Sequence, residues 1–273
     1  GLSGMPILLD TRDPDEIVET VVHMAPTFAA IQLEDISAPR CFAIEERIQA
    51  RLDIPVMHDD QHGTAVVVTA TLLNAAKATG TDLARSSIGV IGLGAAGLAL
   101  ARMLMFRFKR PVHGADIAPD ALVRLKDAGG LPSDLGSIMA GCDVVIATTG
   151  VPGLIKKDMV RRGQIVLALS NPNPEIDPDL ARAAGAAFAA DGRTVNNVLG
   201  FPGIFRGAVD ANVPRITREM LMAAADAIAA AAPPGQIVPD PLDKALHRSV
   251  ARAVARVALA QGLNRDDLTG YFD

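Results

Sequence analysis

The sequence predicts an α/β fold built on a doubly wound, mostly parallel sheet. Two observations carry that prediction. Short apolar runs alternate with helix-period segments through most of the chain, and one such run ends in a glycine-rich turn that opens a helical pattern. The 273 residues are 49% hydrophobic and 21% charged, enough apolar material for two small domains or one large one.

In chain order, the expected strands are MPILLD (5–10), AAIQLED (29–35), PVMHD (55–59), SIGVIG (87–92), PVHGAD (111–116), DVVIAT (143–148), QIVLALS (164–170) and AAFAA (186–190). Each is a short apolar run bounded by Gly, Pro, Asp or Ser, as strands buried in a parallel sheet are. Between them lie DPDEIVETVVHM, CFAIEERIQARL, GTAVVVTATLLNAAKATG and AAGLALARMLMFRF, with helical spacing. Asp13 suits the N-cap of the first. After residue 200 the pattern is wholly helical, TREMLMAAADAIAAAA and then PLDKALHRSVARAVARVALAQGL, divided by Pro-Pro-Gly at 233–235. No internal repeat and no disordered linker is legible.

The run SSIGVIGLGAAGLALARMLM carries Gly92, Gly94 and Gly97 in G-x-G-x-x-G spacing, with Ala95 and Ala96 between the last two. The expression alone is weak, but a strand before it and a helix after it give it a mechanism. The first glycine permits the tight turn, the second lets a pyrophosphate approach the backbone, and the third lets helix and strand pack. The phosphates would then meet the helix N-terminus. Asp116 ends the next strand, where a ribose-binding acid belongs. A carboxylate there would repel a 2′-phosphate, which favours NAD over NADP. This is a Rossmann-type arrangement, and Thr148, at the end of DVVIATTG, would line its cleft.

Glu34–Asp35 and Asp59–Asp60 each end an expected strand, the edge at which open α/β sheets bind ligands. If the two strands are neighbours, these carboxylates converge and suit a hard divalent cation such as Mg²⁺ or Mn²⁺. His58 and His62 flank the second pair and raise zinc as an alternative; acidic turn residues facing water are the bland one.

Composition narrows the remaining classes. A net charge of −5 argues against a nucleic-acid partner. The basic cluster RMLMFRFKR reads as the solvated end of a helix. No apolar run reaches the roughly 20 residues a membrane span needs, and GLSGMPILLD lacks the basic flank of a signal peptide. Cys41 and Cys142 have no metal-ligand spacing, so a cytoplasmic protein with reduced thiols is expected.

Taken together, IQLEDISAPRCFAIEERI, IPVMHDDQHGTAVVV, IGLGAAGLALARML, LALSNPNPEI and VNNVLGFPGIFRGAVDA resemble the malic enzymes, from about residue 5 to residue 230. The resemblance implies a partial malic-domain segment over 1–60, an NAD-binding domain with a helical C-terminus over 61–273, and a homo-oligomer. It implies oxidative decarboxylation of malate to pyruvate and CO₂ with NAD and Mg²⁺ or Mn²⁺. By the same resemblance Glu34, Asp35 and Asp60 hold the metal and Asp59 supports catalysis. Asn171, Asn196 and Asn197 would contact the nicotinamide ribose and the substrate carboxylate.

The chain departs from that family in three places. The family's general-acid tyrosine and general-base lysine stand upstream of LEDI, whereas this chain has Tyr271 alone and no lysine before Lys77. The stretch between Asp116 and Asp143 and the loop before VNNV are both short. The expectation is therefore a catalytic portion with little or no activity by itself. The competing readings are a non-catalytic NAD-binding or assembly module and, more weakly, a different NAD-dependent dehydrogenase.

Overall fold

A computed structural model describes residues 1–193 and 195–272. Helix α1 (Pro14–Met24) starts where expected: Asp13 accepts from the N–H groups of Asp15 and Glu16, and Pro14 occupies the first turn. With α2 (Arg40–Gln49) it covers two parallel strands, β1 (Ile31–Leu33) and β2 (Val56–His58). Val18, Ile44, Ile48 and Val56 fill the small core between them. Ile31 pairs with Val56 and Leu33 with His58, so Glu34–Asp35 and Asp59–Asp60 leave the sheet at the same end.

β2 runs straight into α3 (Asp59–Thr79). This helix is buried almost all round, with Val66, Val67, Val68, Ala70 and Leu72 enclosed, the mark of a core helix rather than a surface one. There follow β3 (Ile88–Ile91), α4 (Ala95–Phe108), β4 (His113–Ala115), α5 (Pro119–Asp127), β5 (Leu131–Pro132), α6 (Leu135–Gly141), β6 (Val144–Ala147), β7 (Ile165–Ala168), α7 (Pro178–Ala183) and β8 (Phe188–Asp191). The second sheet has the order β5-β4-β3-β6-β7-β8, every pair parallel. Counted from β3 this is the 3-2-1-4-5-6 order of a doubly wound dinucleotide fold, with its switch point between β3 and β6.

Alternate residues of the central strands face opposite layers. Val90, Ile146 and Leu167 join the core under α3, α4 and three C-terminal helices, α8 (Phe201–Asp210), α9 (Arg218–Ala231) and α10 (Lys244–Ala260). Ile91, Val145 and Val166 pack with α6 and α7 on the other side.

Three local expectations are corrected. Residues 5–10 form no strand: among the described residues no neighbouring strand supplies a ladder, and Leu8 is 95% exposed. Strand β5 has only two residues, too few for a periodicity to reveal. AAFAA pairs as 188–191, because the ladder with β7 sets the register from Ile165↔Phe188 to Ala168↔Asp191.

Helices α8 and α10 touch through glycine. A Cβ on Gly207 would lie 2.3 Å from the Ala251 carbonyl oxygen, and one on Gly203 would lie 2.6 Å from Val250 Cβ. Gly207→Ala therefore overpacks the contact and should cost about 2 kcal/mol, read as a lower urea midpoint; an unchanged midpoint would contradict this packing.

Candidate active site

The glycine turn follows β3. Gly92 has φ +88°, and a Cβ there would strike the Thr148 carbonyl at 2.7 Å. A Cβ on Gly97 would come within 1.8 Å of the Gly92 oxygen, so the third glycine allows α4 to approach the strand. Around Gly94, by contrast, a Cβ would meet nothing within 4 Å. It caps α4 with no side-chain bond, and half-buried Ala95 and Ala96 begin the helix. Open space and unsatisfied N–H groups at the second glycine fit a phosphate.

Two flanking residues brace this turn. Thr148 donates its hydroxyl to the Gly92 oxygen at 3.0 Å. Asp116 accepts from the Leu93 N–H at 2.6 Å and from the Ala118 N–H at 2.8 Å, so its carboxylate is held against the turn at the end of β4.

A polar cleft of about 500 Å³ opens beside this edge, lined among others by Glu34, Asp59, Thr64, Asn171, Asn196 and Asn197. Asp59 is 1% exposed. One of its oxygens accepts from Asn197 Nδ2 at 3.1 Å, while Oδ1 has no partner. Burial pushes its carboxyl up to about 6; the Asn197 bond opposes this, and the nearby charges of Glu34 and Asp60 add to it. Asn197 also accepts from the Thr64 hydroxyl at 3.1 Å. Asn196 caps the short turn Asn197–Leu199 through the Val198 N–H, and Asn171 reaches the Gly192 oxygen at 3.3 Å.

The predicted metal ligands come to one end of β1 and β2 without closing on a point. Asp60 Oδ2 accepts from the Asp35 N–H at 2.9 Å, with Asp35 at φ +59°, and Glu34 accepts from Gln32 at 3.1 Å. Among the described residues no three His, Cys, Asp or Glu side chains are gathered as a metal cluster. Neighbouring carboxylates repel, and Glu34 and Asp60 have each taken a neutral donor instead.

Neither histidine behaves as a zinc ligand. His62 Nε2 lies 3.0 Å from Glu45, and His58 is fully buried, its ring nitrogens without a hydrogen bond and Nε2 3.9 Å from Asp60 Oδ2. Burial lowers the His58 pKa against the opposing pull of Asp60 and Glu45. Sequence reasoning missed Glu45. This buried acid on α2 accepts from the His58 N–H at 2.8 Å and from Gln61 at 2.9 Å, and so fixes the HDDQH turn. It also missed Thr64 and Arg193, since a lone Thr or Arg carries no spacing signal. Tyr271 donates to Asp210 at 2.6 Å, and burial, then Asp210, pushes its phenol above the usual range. Neither tyrosine nor lysine occurs among the described residues lining the cleft. No helix among the described residues is long and apolar enough to cross a membrane.

Fold and site together define a doubly wound α/β protein of dinucleotide-binding type with a polar cleft at the ligand-facing end of its sheet. Residues 10–49 match the family model of the malic enzyme N-terminal domain, and residues 138–260 match that of the malic enzyme NAD-binding domain. An NAD-dependent malic enzyme 1 of Bacillus subtilis is 56% identical over 95% of this chain and 59% of its own length. The bifunctional malic/malolactic enzyme of the same organism is 39% identical over 97% and 71%. The crystal structure of malic enzyme from Pyrococcus horikoshii superposes with a TM-score of 0.91 at 36% identity, covering 98% of this chain and 70% of that one. The chain belongs to the malic enzyme family. It spans 59% of the length of the 56%-identical relative.

Asp59 sets a pH-dependent expectation. A carboxyl raised to about 6 from 3.8 carries a stability cost that grows as pH rises from 3.8 to about 6 and is full above it. In metal-chelated protein at pH 8, Asp59→Asn should gain about 2 kcal/mol, seen as a higher urea midpoint. The gain should shrink as pH falls through 6, where the native aspartic acid holds its proton. Equal midpoints at pH 8 would contradict the strained carboxylate.

Proposed function

We propose that this chain carries the metal- and dinucleotide-binding portion of an NAD-dependent malic enzyme. In the intact enzyme it would take part in oxidative decarboxylation of malate to pyruvate and CO₂. The observation that carries the reading is the cleft joining Glu34 and Asp59 to Asn171 and Asn197, with Asn171 leaving the same edge of the parallel sheet as the open glycine turn. The malic-type portion would run over residues 1–60 and the dinucleotide portion over 61–273; the distinct core of Val18, Ile44, Ile48 and Val56 supports that reading.

The residues fit the two groups that this reaction needs. The space at Gly94 and the free N–H groups of α4 suit a pyrophosphate, and the carboxylate of Asp116 favours NAD over NADP. The relatives at 56% and 41% identity bear NAD-dependent names, and those at 34–36% include both NAD-dependent and NADP-dependent ones. All-oxygen donors and the unpartnered Asp59 oxygen suit a hard divalent ion, which Glu34, Asp35 and Asp60 would hold. When bound there, Mg²⁺ or Mn²⁺ would supply Lewis acidity and NAD would supply the hydride acceptor.

The chain's own side chains bind and orient. Asn171 and Asn197 present amides to ribose and carboxylate oxygens, and Asn196 shapes the turn that carries Asn197. Asp59, titrating near 6, can hold or release a proton beside the substrate at working pH. The cleft lining supplies no tyrosine or lysine for the remaining proton transfers, so the chain by itself should turn over malate slowly or not at all.

NADH formation followed at 340 nm, with malate, NAD and Mn²⁺, should run on the order of 10² to 10⁴ below an intact enzyme; a rate typical of an intact enzyme would overturn the slow-turnover reading. The second reading, a non-catalytic NAD-binding module, draws on the absent proton-transfer pair. Titration with Mn²⁺ separates the two: binding lost in Glu34→Gln and Asp60→Asn supports the catalytic portion, and no binding by the unaltered chain supports the module.

A further inference from the structure

We propose that Glu175 is a positioning residue that locks the two loops closing the nicotinamide end of the cleft and biases that end toward the oxidised, positively charged cofactor. The proposal rests on the reading that the chain binds NAD. Glu175 lies in the connection from β7 to α7 and is completely buried. Its Oε1 accepts from the Thr149 N–H at 2.6 Å, the Thr149 hydroxyl at 2.8 Å and the Ser170 hydroxyl at 2.5 Å; Oε2 accepts from the Ser170 N–H at 3.2 Å. Ser170 Oγ in turn accepts from the Gly150 N–H at 2.7 Å. One carboxylate thus satisfies the chain after β6 and the chain after β7, both at the ligand-facing edge of the sheet.

What it holds belongs to the site. Asn171 follows Ser170 directly, and Thr148, which braces Gly92, precedes Thr149. Loosening Glu175 would therefore let Asn171 and the glycine turn drift apart. Its charge has a second consequence. All four donors are neutral, so no guanidinium or ammonium cancels the carboxylate, and burying it so costs more than a neutral staple would. That negative charge sits behind the edge where a nicotinamide ring would lie. The ring is cationic in NAD⁺ and neutral in NADH, so the field favours the oxidised form.

The test is direct binding of NAD⁺ and NADH by isothermal titration calorimetry, with Mn²⁺ binding measured alongside. Glu175→Gln keeps size and an acceptor oxygen but removes the charge. It should weaken NAD⁺ on the order of ten-fold, weaken NADH distinctly less, and leave Mn²⁺ binding unchanged. Glu175→Asp, which keeps the charge, should weaken both forms and preserve their ratio. Should the glutamine variant fail to fold, Ser170→Ala removes the acceptor for the Gly150 N–H and leaves the charge; both forms should then weaken equally. Unchanged affinities, or an equal loss for both forms in Glu175→Gln, would overturn the role of Glu175 while leaving the NAD reading standing. If the unaltered chain binds neither form, the NAD reading fails and this role fails with it.

Discussion

Asn197 donates to Asp59 across 138 residues of sequence, and the cleft takes its form from that bond. It joins the first turn of α3 to the turn at 197–199, bringing the end of the small two-stranded sheet against the edge of the large one. Two other residues make the contact possible. Thr64 fills the second hydrogen-bonding position of Asn197, and Gly63 leaves room for the Asp59 carboxylate, since a Cβ there would stand 1.9 Å from Oδ1. The fixed geometry of one acid depends on a glycine, a threonine and an asparagine chosen together.

The chain handles buried carboxylates in three ways. Glu45 receives neutral donors and a histidine, and in doing so anchors the turn that presents the acids. Glu175 receives four neutral donors and spans two loops. Asp59 receives one and keeps an oxygen unpaired. An unsatisfied buried polar atom costs on the order of 1–3 kcal/mol. A fold retains such a cost where something else is gained, and the cleft is where the gain is expected. The start of α3 offsets part of it, because the helix dipole favours negative charge at Asp59 and Asp60.

Periodicity made most of the fold legible. Strands buried on both faces, as β3, β6 and β7 are, leave continuous apolar runs, and a strand–helix alternation has few topologies open to it. The errors fell where local pattern and tertiary context part. MPILLD has the composition of a strand but no ladder beside it, and β5 is an edge strand too short to carry a period. For the site, the glycine spacing and the paired acids were readable because a motif packs several functional residues into a few positions. Glu45, Thr64 and Glu175 were not, because each bonds residues outside any motif it belongs to, and Arg193 lines the cleft with no spacing to mark it.

Residue order alone determined the parallel α/β class, the glycine turn with its phosphate-accepting helix start, and the placing of acidic pairs at strand ends. These follow from side-chain period and backbone freedom, both local properties. Only the tertiary structure decided that β1 and β2 pair in the register that brings Glu34–Asp35 beside Asp59–Asp60. It alone turned Glu34, Asp59 and Asp60 onto separate neutral donors and gave one carboxylate, Asp59, a raised affinity for its proton. Electrostatic energy depends on distance and on exclusion of water, and neither is written in a linear string.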